Sequence, residues 1–222
     1  MTNFAIAFLF SSVLFLIIFV LFSILNYKNR FKMNYDLRNH YPYELNYEMK
    51  FSSNLVGNLA ICLFAISGIA FYTLFDMKYT NGFLLFDLIA GSIYSLVLMS
   101  FAFISLNKHL RFHLLVVLIG VVLSFLIPFS NAMTLFNAYK TKEEVGALVL
   151  AIFNVVYCLI IFFMMMNPRL SHWADLKEEK DKDGTIKYVR PKFFILAFIE
   201  WGLILTSPLL MVMSLFTQIL VY

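Results

Sequence analysis

Six stretches of the chain, at about residues 4-25, 51-75, 83-106, 110-130, 144-166 and 193-220, run almost without a charged side chain. Each approaches or exceeds the roughly 20 residues that a helix needs to cross about 30 Å of hydrocarbon. A closed barrel would also satisfy its backbone in lipid, but it needs alternating apolar and polar positions, and Leu14-Phe15-Leu16-Ile17-Ile18-Phe19 does not alternate. The pattern therefore predicts an all-α integral membrane protein: one polytopic domain over 1-222, built as a bundle of six transmembrane helices. The apolar run from Phe4 to Leu25 outlasts the h-region of a secretory signal and lacks a basic stretch before it, so it reads as a retained first helix.

Composition strengthens this picture. At 62% hydrophobic and 14% charged, the chain is too apolar for a water-soluble domain. Its net charge of +4 does not describe a nucleic-acid binder, because the basic residues gather beside the apolar runs. Of the 17 Lys and Arg residues, all but Lys78, Lys140 and Lys142 fall in the first, third and fifth connections. Short cytoplasmic loops carry that excess, so both termini are expected outside and residues 26-50 and 167-192 form the two larger cytoplasmic loops of a multi-pass protein in the cell membrane.

In the first loop, Tyr27, Phe31 and Tyr35 recur every four residues among Lys28, Lys32 and Arg38, which on a helix makes an aromatic stripe suited to lie along headgroups. Pro42 should end that helix. The fifth loop predicts a helix from Ser171 to Lys182, a turn at Asp183-Gly184 and a short strand from Thr185 to Val189. Arg38, His40, His109, Arg111 and Arg190 are the residues expected to meet anionic headgroups or a partner.

Inside the spans, polar side chains should turn toward other helices or a wet cavity. In the sixth helix Glu200, Ser207, Met211, Ser214 and Gln218 fall within about 60° of one another, and Pro208 supplies a candidate hinge. The fourth helix places His113, Gly120, Ser124 and Asn131 on one face. Asn58, Asp87 and Asn154 contribute from the second, third and fifth. Ser, Gly and Asn on such faces serve helix packing and interhelical hydrogen bonds as readily as a ligand. Glu200 differs, since a carboxylate at that depth must be protonated, paired or hydrated. Asp87 near the end of its span has a simpler alternative, as a carboxylate facing water.

His109 and His113 would share a face if their helix began before residue 109, but no HExxH motif or cysteine pair accompanies them, so no metal or other cofactor is expected. Cys62 and Cys158 lie apart near the middle of apolar runs. Walker A, GxSxG and GxGxxG motifs are absent from the sequence.

These features lead to a small transporter-like protein with an interior cavity for a polar or amphipathic solute, lined by Glu200, His113, Asp87, Asn58 and Asn154. Glu200 would be the proton or cation site. One alternative is a non-catalytic subunit of a membrane complex, with the polar stripes as interfaces to a partner. Another is an interfacial lipid-modifying or metal-dependent enzyme using His40, Glu44, His109, His113 and His172, for which no catalytic set is complete.

Overall fold

The computed structural model describes residues 2–46, 50–76, 82–104, 109–172, 177–180, 186–189 and 191–221. Most of them lie in six helices: α1 (Thr2–Phe31), α2 (Leu55–Asp76), α3 (Gly82–Phe101), α4 (Leu110–Lys142), α5 (Val145–Met165) and α6 (Ile195–Val221). Short 3-10 turns occupy Pro42–Leu45, Phe51–Asn54 and Pro168–His172. Among the described residues, five helical stretches are long and apolar enough to cross a membrane, and Leu85–Phe101 within α3 is a shorter apolar helix. Helices of this kind are those of a multi-pass membrane protein.

Two helices outrun their apolar stretches. α1 continues past Leu25 to Phe31 and stops where Lys32 turns left-handed at φ 56°, its N–H donating to the Lys28 carbonyl at 2.9 Å. α4 passes through Pro128 and runs on to Lys142 instead of ending near residue 130. The stretch after Asn131 holds Ala132, Met133, Leu135 and Ala138, good helix formers without a glycine, so a loss of hydrophobicity there is not a loss of helix. At 33 residues α4 is roughly 50 Å long, well beyond the thickness of hydrocarbon. Glu143, at φ 56°, closes it, and α5 begins two residues later.

The expected helix from Ser171 to Lys182 does not form. Residues Lys177–Lys180 make strand β1, which pairs antiparallel with β2 (Ile186–Val189), Lys177 opposite Val189 and Lys180 opposite Ile186. β2 lies within the predicted strand, while the Asp183-Gly184 turn falls outside the described residues. A hairpin here follows from Thr185 to Val189 alternating, which suits a ribbon better than a short isolated helix in water.

α6 is the hub, packing against all five other helices. Of its most apolar window 61% is buried, against 28% in α1 and in α5. The outer helices turn Phe4, Phe10, Val149 and Phe163 outward, as a surrounding hydrocarbon solvent permits. Ser12 and Ser23 of α1 nevertheless point inward and are fully buried. At one seam α2 and α3 approach so closely that a Cβ on Gly91 would lie 2.5 Å from ring carbons of the buried Tyr72.

A buried carboxylate–imidazole pair and its aromatic cover

Glu200 and His113 meet in the core. The fourth residue of α4 and the sixth of α6 face each other, with Glu200 Oε1 2.7 Å from His113 Nε2 and both side chains almost wholly buried. The other ring nitrogen, Nδ1, lies 3.0 Å from the Ile104 carbonyl, which can only accept, so Nδ1 carries a hydrogen. The line between Nε2 and Oε1 then holds one proton, on the imidazole or on the carboxyl. Either way the pair has no net charge, which is how two ionisable groups remain buried without an isolated ion. Glu200 Oε2 has no hydrogen-bond partner among the described residues.

The cover over this pair comes from the first loop. Tyr41, Tyr43 and Leu45 are all buried, and the rings of Tyr43 and Tyr41 stand edge-on to His113 at 5.8 and 6.5 Å. α6 and the residues flanking α3 and α6 hold the segment in place. Trp201 Nε1 donates to the His40 carbonyl at 2.9 Å, the Phe194 N–H donates to the Arg38 carbonyl at 2.7 Å, and the Asn46 amide donates to the Ala102 carbonyl. Tyr35 donates its hydroxyl to the Tyr41 carbonyl at 2.7 Å. Burial, helped by the negative charge of Glu44, pushes the Tyr35 phenol well above its ordinary range, so it stays a donor.

This corrects the expectation for residues 26-50. The helix ends at Phe31, so Tyr35 does not continue the aromatic stripe. It folds back to sit 5.0 Å from the rings of both Tyr27 and His40. An extended headgroup-bound stripe would leave Pro42, Tyr43 and Leu45 outside the core that they fill.

A second polar cluster lies elsewhere in the bundle. Asn131 donates to Ser214 Oγ at 3.0 Å, and Ser214 donates to Asp87 Oδ2 at 3.2 Å, all three side chains being buried. Asp87 thus faces the bundle rather than water. Ser214 is fourteen residues beyond Glu200 on α6, or roughly 21 Å along the axis, so Asp87 and Glu200 do not share one chamber. Between the clusters α6 is continuous through Pro208. The proline leaves the Ile204 carbonyl without its helical donor, and Ser207 Oγ supplies one at 2.7 Å. Tyr94 donates to the neighbouring Leu203 carbonyl at 3.0 Å.

The remaining expected cavity residues are occupied locally. The Asn58 amide donates to Phe51 at 2.9 Å at the start of its own helix, and the Asn154 amide to Leu150 at 2.9 Å within α5. His109 is exposed at the N-terminal boundary of α4 with non-helical backbone, so the condition for sharing a face with His113 is not met. Among the described residues no three His, Cys, Asp or Glu side chains converge as metal ligands. Arg111 is exposed, and Arg38 is exposed and forked onto Asp36 at 3.0 to 3.1 Å. Glu44 is half-buried beside the cover, whereas Arg190 and the side chain of His172 lie outside the described residues. Sequence reasoning missed Tyr35, Tyr41, Tyr43 and Trp201. The apolar run Tyr41, Pro42, Tyr43 and Leu45, interrupted only by Glu44, was the available sign that this segment is buried. No family model, curated protein or solved structure matches the chain.

Proposed function

We propose that this chain is a small multi-pass membrane transporter in a closed state, with the His113–Glu200 pair as its proton site and residues 35–46 as the barrier on one side of it. On this reading all six helices cross the bilayer, both termini lie outside, and the barrier faces the cytoplasm, in keeping with the Lys and Arg distribution. The protein would reside in the cell membrane and carry a polar or amphipathic solute.

The observation that carries the reading is a 2.7 Å contact between two buried ionisable side chains, next to a carboxylate oxygen with no hydrogen-bond partner among the described residues. A purely structural polar contact is better served by neutral groups that satisfy every atom. A short loop segment held by a few buried side chains and hydrogen bonds can leave more readily than a spanning helix. Its departure would open the pair to water and to a solute that exchanges for the proton. Pro208 lies between the two polar clusters and would localise bending of α6. Against the alternative of a subunit using its polar stripes as interfaces, Asn131, Ser214 and Asp87 already satisfy one another within the chain.

The test is proton movement in liposomes containing the purified chain and a trapped pH dye, with amino acids, short peptides and organic cations added in turn. At least one solute should drive proton flux, and Glu200→Gln should abolish it. A correctly inserted parent that moves no protons with any of these solutes, or a variant that moves them equally well, would overturn the proposal.

A further inference from the structure

A partly open cleft of about 80 Å3 lies between α4, α5 and α6. Tyr157, Met164 and Met165 line it from α5, and Gly202, Leu203 and Thr206 from α6. Gly202 opens directly into it, since an added Cβ there would meet no atom within 4 Å. The two polar side chains in the wall are already used. Thr206 donates to the Gly202 carbonyl at 2.8 Å, so the 2.9 Å contact with Tyr157 is a bond from the phenol to the Thr206 hydroxyl. What remains for a ligand is hydrocarbon surface, including two flexible methionines that adapt to an irregular chain.

Charge identifies the other end of the ligand. Just beyond Met165 the connection carries Arg169, and Lys192 precedes α6 by three residues, both exposed. No acidic residue occurs among 166–172 or 191–199. A greasy cleft that ends beside two cations matches a molecule with an apolar tail and an anionic head. Phe163 and Met165 are exposed on the outer surface next to the cleft, so the bilayer itself is at hand.

We propose that this cleft holds one acyl chain of an anionic phospholipid whose phosphate rests against Arg169 and Lys192. A polar solute would find no donor or acceptor in its wall. Polybasic sites at a membrane surface gain from each nearby Lys or Arg, so two such residues give a preference for an anionic head over a zwitterionic one.

Native mass spectrometry of the full chain, extracted in mild detergent and mixed with equal phosphatidylglycerol and phosphatidylcholine of matched chains, tests this. The parent should retain phosphatidylglycerol over phosphatidylcholine by roughly tenfold or more. Replacing both cations, Arg169→Gln with Lys192→Gln, should level the two lipids, and Gly202→Leu should lower retention of both. Equal retention by the parent, no retained lipid, or a surface double variant that keeps the preference would overturn the proposal. Because Gly202→Leu can impair folding, the parent is also exposed to phosphatidylglycerol bearing a photoactivatable tail. Labelling should concentrate on residues 157–165 and 199–206, and labelling confined to the other helices would overturn the proposal as well.

Discussion

Replacing one member of the His113–Glu200 pair should have different consequences depending on which member is removed. His113→Ala leaves a carboxylate sealed in the core opposite an empty space, and breaking a buried ion pair from one side costs about 3–5 kcal/mol. Glu200→Gln is milder. His113 Nδ1 is committed to the Ile104 carbonyl at 3.0 Å, so the neutral ring presents Nε2 as an acceptor and the introduced amide can donate to it. One hydrogen bond is retained, and the expected loss is below about 1.5 kcal/mol. Glu200→Ala lies between, with an imidazole nitrogen left unsatisfied at about 1–3 kcal/mol. Exchanging both residues for leucine removes both desolvation costs and should be less harmful than His113→Ala alone. Equilibrium unfolding in mixed micelles at pH 7 measures all four. If His113→Ala and Glu200→Gln destabilise equally, or the double leucine variant is more harmful than His113→Ala, the shared-proton arrangement is refuted.

Other predictions follow from single contacts. Trp201→Phe removes the donor to the His40 carbonyl, a loss of about 1 kcal/mol that should raise tryptic cleavage at the exposed Arg38 several-fold. Gly91→Ala should destabilise by about 1–3 kcal/mol, because the Tyr72 ring occupies the position of the new methyl group. Thermal unfolding in detergent checks this, with Gly202→Ala as the contrasting variant expected to change little. Hydrogen bonds from Arg38 hold the Asp36 carboxyl below the usual carboxylate range. The support that this contact gives the loop is therefore present above that range and lost as pH falls through the depressed value. A carboxyl NMR titration should show Asp36 moving up toward the usual carboxylate range in Arg38→Gln, with part of the depression kept because the residue 38 N–H still donates to it.

The stripe on α6 was legible because helix geometry fixes it: Glu200, Ser207, Met211, Ser214 and Gln218 share a face by spacing alone, and all five are buried. Which residue answers each one was not legible. His113 and Glu200 are 87 positions apart, and Asn131 and Ser214 are 83 apart. Those partners depend on the relative height of α4 and α6, which no local pattern encodes. The same gap explains why Asp87 and Glu200 looked like members of one cavity: a face shows direction around a helix, not level across the bundle. Residues 35–46 were misread for another reason. The Lys, Arg and aromatic content of the whole loop 26–50 suits a membrane surface, but the aromatic side chains of residues 41–43 find a drier place beside the ends of α3, α4 and α6. The extension of α4 past Asn131 shows that the edge of an apolar run marks where hydrocarbon ends, not where the helix does.

α6 follows the five helices that it packs against and holds the complement to much that precedes it. Glu200 answers His113, Ser214 bridges Asn131 and Asp87, and the Leu203 carbonyl receives Tyr94. While translation has reached only residue 194, those earlier groups have been threaded into the bilayer without their counterparts. Docking of α6 is thus the step that gives the buried polar groups of the earlier helices their partners, and a variant truncated before residue 195 is expected to leave them unpaired.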